Sequence, residues 1–315
     1  MSDLEVIKGF TKLRADAGET FFFARELEYI KSKSYDIEFP EMKAFKHLPI
    51  STEAGEGAVV ITYAQFEELG IAKVIESYAN DLPRADIRGK EFSTPVKSIG
   101  CSYGYTVQEV RSAIYVGRSL TQRQANAARR ANDQLVNKYA WYGNDTYRIL
   151  GILNNTNIPA TPVPADGIGA TTEWVNKTPD QILRDLNQIT NSILDVTNGV
   201  EMPNTVLLPV AQYTLIASTP RSSVSDTTIL EYFIQNNPFI TTVDWVPELK
   251  GAGPAGVDVF FAYDKNPDKL TMEIPMPFTQ YPPQERGLEF VVPCESRYGG
   301  VIIYYPLSLS IGEGI

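Results

Sequence analysis

Histidine is nearly absent from this chain of 315 residues: there is one, His47, and there are only two cysteines, Cys101 and Cys294. A zinc site built on histidine needs several ligands, and the two cysteines lie far apart, in no metal-ligand spacing. Each cysteine reads as a buried free thiol. No run approaches 18 apolar residues, so no helix is expected to span a membrane. The N-terminal "MSDLEVIKGFTKLRADAGET" lacks the basic region and apolar core of a secretion signal, and synthesis in the cytoplasm is expected. Net positive charge is lacking too: the formal charge is −10 and the pI about 4.8, which gives no overall attraction to nucleic acid or anionic lipid. The sequence has no Walker loop, no G-x-G-x-x-G, no aromatic–basic RNA-binding pattern and no internal repeat. No metal and no cofactor are expected.

One short pattern speaks for catalysis. "SIGCSYGYTV", residues 98–107, contains Gly100, Ser102 and Gly104 in the G-x-S-x-G spacing of a nucleophile elbow. An α/β-hydrolase requires its histidine after that serine, and none follows. A chymotrypsin-like order puts histidine first but needs two barrels, and the stretch from His47 to Ser102 is too short for them. Gly100 and Gly104 are therefore expected at a strand end and a turn, where a positive φ costs a glycine little. His47 reads as a surface or packing residue before a turn. Acidic neighbours such as Glu67 and Glu68 read as solvated charge.

What is present is ordinary globular material, 43% hydrophobic and 21% charged, enough for one large domain or two joined ones. Residues 1–48 read as an arm with a short helical piece, "TFFFARELEYIKSKSY", carrying Phe22, Phe23, Leu27 and Ile30 at helical spacing. Residues 50–99 read as a long two-stranded excursion, "AVVITYAQF" going out and "EFSTPVKSIG" coming back. An isolated hairpin of that size needs a partner surface. "TVQE" is a capping box, with Thr106 at the N-cap and Glu109 three residues on. A long helix is expected over about 120–142. From residue 118 to 148 there are six basic side chains against two acidic ones, a local +4 in an acidic protein. That is either a solvated face with ion pairs or a helix facing polyanion. Helices and strands then alternate, beginning with a helix capped by Thr178, with Pro179 at its first position, and stopped at Asn198–Gly199. From Asp268 onward the chain reads as proline-punctuated strands, the prolines confined to edges and ends, with "GVIIYYPLSLS" as the final strand returning to the first subdomain.

This order of elements and four phrases resemble the major capsid proteins of tailed bacteriophages with the Hong Kong 97-type fold. The phrases are "FFFARELEYIKSKSYDIEFPEMKAFKHLPIS", "ITYAQFEELGIAKVIESYANDLPRADIRGKEFSTPVKSIGCSYGYTVQE", "RQANAARRANDQLVNKYAWYGNDTYRILGILNN" and "ESRYGGVIIYYPLSLS". The resemblance implies an α+β, Hong Kong 97-like capsid fold. Its parts would be an N-arm at 1–48, an E-loop at 49–99, a peripheral (P) domain at 100–176 and 286–315 with its spine helix at about 119–142, and an axial (A) domain at 177–285. It implies a structural shell protein and no enzyme: hexamers and pentamers forming an icosahedral head around double-stranded DNA in the virion, assembled in the bacterial host cytoplasm. Implied partners are copies of itself, a separate scaffolding protein, a portal, decoration proteins, and packaged DNA touched weakly and without sequence preference; no membrane is implied. Candidate contact residues are Arg84, Asp86, Arg88 and Lys90 in the E-loop, Phe22, Phe23 and Leu27 in the N-arm, and Arg123, Arg129 and Arg130 on the inner face of the spine helix. The alternatives are an encapsulin-type nanocompartment shell and a serine hydrolase using Ser102.

Overall fold

The computed structural model describes residues 40–73, 84–116, 120–222, 224 and 226–315. The chain divides into two units, Met1–Glu41 and Met42–Ile315, and the elements below belong to the second. The helix expected in the N-terminal arm, with Phe22, Phe23 and Leu27, lies outside the described residues.

Fourteen strands are described, in four sheets. A five-stranded sheet has the order β5 (Ala160–Pro162), β14 (Leu309–Glu313), β8 (Val259–Tyr263), β6 (Thr205–Leu208), β7 (Thr242–Trp245). β8, "VFFAY", is buried at every position because both of its faces are covered. Alternate side chains of a strand point to opposite faces. Val259, Phe261 and Tyr263 therefore join one core and Phe260 and Ala262 another. Phe261 meets Trp141 at 5.9 Å between ring centroids, and Phe260 meets Trp174 at 5.3 Å. Two adjacent phenylalanines thus anchor both halves of the interior.

Three helices lead up to this sheet: the single turn α1 (Ala44–His47), α2 (Val107–Val116) and the long α3 (Leu120–Tyr142), which matches the span of about 120–142 expected from sequence. α3 closes the first core, with Asn132, Val136, Asn137, Ala140 and Trp141 on its buried side. The second core is closed by α4 (Pro179–Val196), whose Ile182, Leu186, Ile189 and Ile193 recur at helical spacing and are buried. Its capping box is formed: Thr178 Oγ1 accepts from Gln181 N, and Thr178 N donates to Gln181 Oε1. Asn198 (φ 51°) and Gly199 (φ 78°) turn left-handed just past its end. The short helices α5 (Val210–Ser218) and α6 (Ile229–Asn236) pack on the same side.

The C-terminal strands depart from the sequence reading in three ways. First, "GVIIYYPLSLS" is not one strand. It makes β13 (Gly300–Ile303), a turn of 3₁₀ helix at Pro306–Ser308, and β14, because Pro306 has no N–H to continue a ladder. β14 then joins the five-stranded sheet between β5 and β8, while β13 pairs β9 (Leu270–Glu273), whose other edge takes β1 (Ile50–Ser51). Second, β9 and β10 (Met276–Gln280) pair with β13 and β12 (Glu289–Tyr298), so residues from about 270 sit with the final strands and not with α4 to α6. Third, Pro293 lies inside β12. Its missing N–H faces the gap between β10, which ends at Gln280, and β11 (Gln284–Arg286), where only its carbonyl is used, by Tyr281 N.

His47 is a packing residue, 2% exposed. Its Nε2 lies 3.1 Å from Asp244 Oδ2 but outside hydrogen-bond geometry, and neither ring nitrogen hydrogen-bonds among the described residues. Burial drives its pKa down to about 4; Asp244 opposes this, and Lys46, Lys265 and Lys43 add to it. The unfolded chain takes up this proton below pH about 6.5, whereas the folded one resists until about 4. Stability from this site is therefore complete above pH about 6.5 and falls as the pH drops, by about 3 kcal/mol in all. Urea unfolding of the dissociated subunit between about pH 7 and about pH 4.5 checks this: His47→Gln should flatten the acid loss relative to wild type, and parallel curves would contradict it.

Candidate assembly surface

The strands β2 (Val60–Leu69) and β3 (Asp86–Pro95) pair antiparallel over ten residues, from Val60↔Pro95 to Leu69↔Asp86. At about 3.3 Å per residue the ribbon runs roughly 33 Å. Among the described residues it is a sheet of two strands. The sequence places apolar side chains along it, and most are bare: Val59 is 68% exposed, Phe66 70%, Ile71 79% and Ile87 64%. A hydrophobic side chain left in water forgoes about 1.5–3 kcal/mol relative to burial. Phe66 and Ile87 on the ribbon and Val59 and Ile71 flanking it leave apolar surface that its own unit does not cover.

Only the root is seated. Tyr63 stacks on Phe92 at 5.3 Å and meets Tyr304 edge-on at 5.1 Å. Thr94 and Val96 are 4% exposed, and Val96 N donates to Val59 O. A cleft of about 740 Å³ lies on each side of this root. One is lined by Ile50, Tyr63, Phe66 and Tyr304, the other by Val60, Pro95, Tyr147 and Leu150. Farther out, Gly89 faces Phe66, and a Cβ on Gly89 would come within 3.0 Å of the Phe66 ring. The glycine leaves room for the ring to lie across the ribbon.

β3 runs through Val96 directly into β4 (Lys97–Thr106), and β4 pairs β12 in ten consecutive positions, from Lys97↔Tyr298 to Thr106↔Glu289. The exposed ribbon is therefore a continuation of a strand held in the body. At the far end of β4 the expected capping box is formed: Thr106 N donates to Glu109 Oε2 at 2.8 Å, and Glu109 N donates to Thr106 Oγ1 at 3.2 Å. α2 then carries Ile114 (75% exposed) and Tyr115 (93%). Sequence alone does not point to either as surface, because Ile114 fits the apolar face of an amphipathic helix and so reads as core.

The charged candidates are all exposed: Arg84, Asp86, Arg88 and Lys90 on or beside β3, and Arg123, Arg129 and Arg130 on α3. The register sets Arg88 opposite Glu67, Lys90 Nζ lies 4.8 Å over the Phe92 ring, and Asp86 accepts from Ile87 N. Arg129 reaches Asp133 at 3.8 Å, one turn along α3, so part of the basic face is ion-paired as a solvated helix would be.

The G-x-S-x-G lies within β4 and makes no elbow. Ser102 sits mid-β4 opposite Pro293, and the chain's sole histidine is buried beside Asp244. Gly100 and Gly104 occupy neither a strand end nor a turn, and neither has a positive φ. Gly104 is needed for space: a Cβ there would come within 2.8 Å of Glu289 Oε1 and 3.3 Å of Phe290 O. No group of three or more potential metal-ligating side chains is found among the described residues.

The family model for the major capsid protein matches residues 70–315. Among solved structures, the capsid of Myoviridae phage XM1 is similar with a TM-score of 0.82 at 20% identity, covering 95% of this chain and all of that one. The capsid of the native GTA particle is similar at 0.65 with 7% identity, covering 91% of this chain and 94% of that one. A virus-like particle from Pyrococcus furiosus gives 0.51 at 14% identity, covering 85% and 91%. No curated protein sequence matches the chain.

The split between seated root and bare ribbon has a measurable consequence for the unassembled subunit. Phe66→Ser with Ile87→Ser should shift urea-unfolding stability by no more than about 1 kcal/mol, as surface changes do. Val96→Ser should cost about 1–3 kcal/mol, because it leaves a polar group in a filled apolar site. Equal losses from both would show that the ribbon is packed by its own subunit.

Proposed function

This chain belongs to the major capsid protein family, and on that premise we propose that it closes an icosahedral phage head from hexamers and pentamers of itself around double-stranded DNA. It is a structural shell protein with the α+β, Hong Kong 97-like fold, not an enzyme, and its place is the virion capsid. The observation that carries the proposal is the β2–β3 ribbon: ten residue pairs rooted at one end, with Val60, Phe66 and Ile87 uncovered. A neighbouring copy supplies the missing cover. Repeated head-to-tail contacts of this kind close into rings, and rings into a shell.

In this reading the ribbon is the E-loop and α3 the spine helix of the P domain. The five-stranded sheet with α4 to α6 forms the A domain, and β5 and β14, expected in the P domain, are counted with it because they pair in that sheet. β9 and β10 are counted with the P domain because they pair with β13 and β12. Arg84, Asp86, Arg88 and Lys90 set the register against a neighbour more than they add affinity. Phe22, Phe23 and Leu27 pack the arm on a neighbouring surface. A separate scaffolding protein, a portal and decoration proteins complete the head, which is assembled in the host cytoplasm. Arg123, Arg129 and Arg130 face the DNA. The encapsulin-type alternative is less supported: the matching family model is that of the major capsid protein, and the capsid of phage XM1 is similar at a TM-score of 0.82.

Replacing residues 70–85 by Asn-Gly joins Leu69 to Asp86, which are paired, through a two-residue turn. The shortened protein should fold, with an unchanged circular dichroism spectrum and a sharp melt, and should give no closed shells in negative-stain electron microscopy. Normal shells from it would overturn the proposal. Arg123→Gln, Arg129→Gln and Arg130→Gln together should flatten the salt dependence of DNA binding by the subunit, by about 0.9 in log–log slope for each phosphate no longer neutralised. An unchanged slope would remove these residues from the DNA face.

A further inference from the structure

The two cysteines, far apart in sequence, meet in space. Cys101 on β4 and Cys294 on β12 are directly opposite partners in the antiparallel register. The Pro293 carbonyl points away from β4, to Tyr281 N, so the backbone groups of Cys294 point toward β4. That makes Cys101↔Cys294 a hydrogen-bonded pair, with Cα atoms about 5.5 Å apart. Disulfides bridge Cα atoms about 4.4–6.8 Å apart. Opposite partners also project to the same face of the sheet. Here that face lies under α3: Cys101 Sγ donates to Ala128 O at 3.6 Å, and both sulfurs pack in a small cluster with Ala128, Val292 and Tyr103. Both cysteines are free thiols, and each lies close enough to perturb the ionisation of the other.

We infer that Cys101 and Cys294 are a modification site, at which a small-molecule disulfide oxidises the pair to an intramolecular cross-strand disulfide joining β4 to β12. Cys101 is half-buried and Cys294 is 3% exposed, so the reagent reaches Cys101 first. Burial raises both thiols and pushes Cys294 up to about 11, which also favours Cys101 as the first thiolate. The Cys101 thiolate attacks one sulfur of the reagent, and the other leaves as a thiolate. Cys294 then loses its proton and attacks Cys101 Sγ, expelling the second reagent thiol. Two protein thiols are oxidised by two electrons, and one reagent disulfide is reduced to two thiols. The new bond fixes the strand from which the ribbon springs. It also closes a loop of about 190 residues, which constrains the unfolded chain strongly.

The test is exposure of the full-length native protein to oxidised glutathione, followed by acid quench, intact mass spectrometry without reductant and peptide mapping. The inference expects a mass lower than the reduced protein by about 2 Da, a linked Cys101–Cys294 peptide, no linked dimer, and reversal by dithiothreitol. The oxidised form should melt at least about 5 °C above the reduced one. Cys101→Ser should leave Cys294 unmodified under the same exposure. Persistent free thiols, a stable glutathione adduct at Cys101 without closure, or a disulfide between two chains would overturn it.

Discussion

The constraint that organises this molecule is an unfinished burial. A two-stranded ribbon with apolar side chains along it is not stable by itself in water, since one pair of strands cannot enclose its own hydrophobic surface. Here the ribbon persists because one end is locked. Tyr63, Phe92, Thr94 and Val96 are fixed at the root, and β3 leads through the single buried residue Val96 into β4. Farther out, Phe66, Ile71 and Ile87 stay in water. A monomeric protein has no use for such an extension. A shell subunit does, because the apolar area withheld from folding is then available to drive association.

The body is built to hold that extension steady. β8 turns Phe260 and Phe261 into opposite cores, so the layer under α4 and the layer under α3 share one strand. β12 pairs β4 along ten residues and binds the root of the ribbon to the C-terminal strands. Where the design needs close approach, glycine supplies it: Gly104 clears Glu289, and Gly89 makes room for Phe66. The serine between Gly100 and Gly104 is incidental to that packing.

Much of this is legible from residues alone, and for identifiable reasons. α3 and α4 announce themselves through propensity, capping and stop signals; Thr178, Pro179 and Asn198–Gly199 bracket α4 locally. The alternation in β2 is a period-2 pattern that needs no tertiary context, whereas the return begins at Asp86, ahead of the stretch 91–100 read from sequence, because "DIRGK" carries no alternation. Long-range pairing is what sequence cannot supply. That β9 joins β13, that β14 leaves β13 for another sheet, and that Cys101 faces Cys294 depend on contacts between residues far apart in the chain. The exposure of Ile114 and Tyr115 is hidden for a related reason: an amphipathic face reads the same whether its own subunit covers it or a neighbour does. The burial of His47 beside Asp244 likewise rests on a contact across nearly two hundred residues.

Amide hydrogen exchange, compared between dissociated subunits and purified shells, tests the central claim most directly. The account predicts that peptides spanning 60–69 and 86–95 exchange rapidly in the free subunit and become strongly protected in the shell. Peptides from β8 and α4 should be protected in both. Equal, strong protection of the ribbon in the free subunit would mean that its apolar face is already buried at home, and the account would fail.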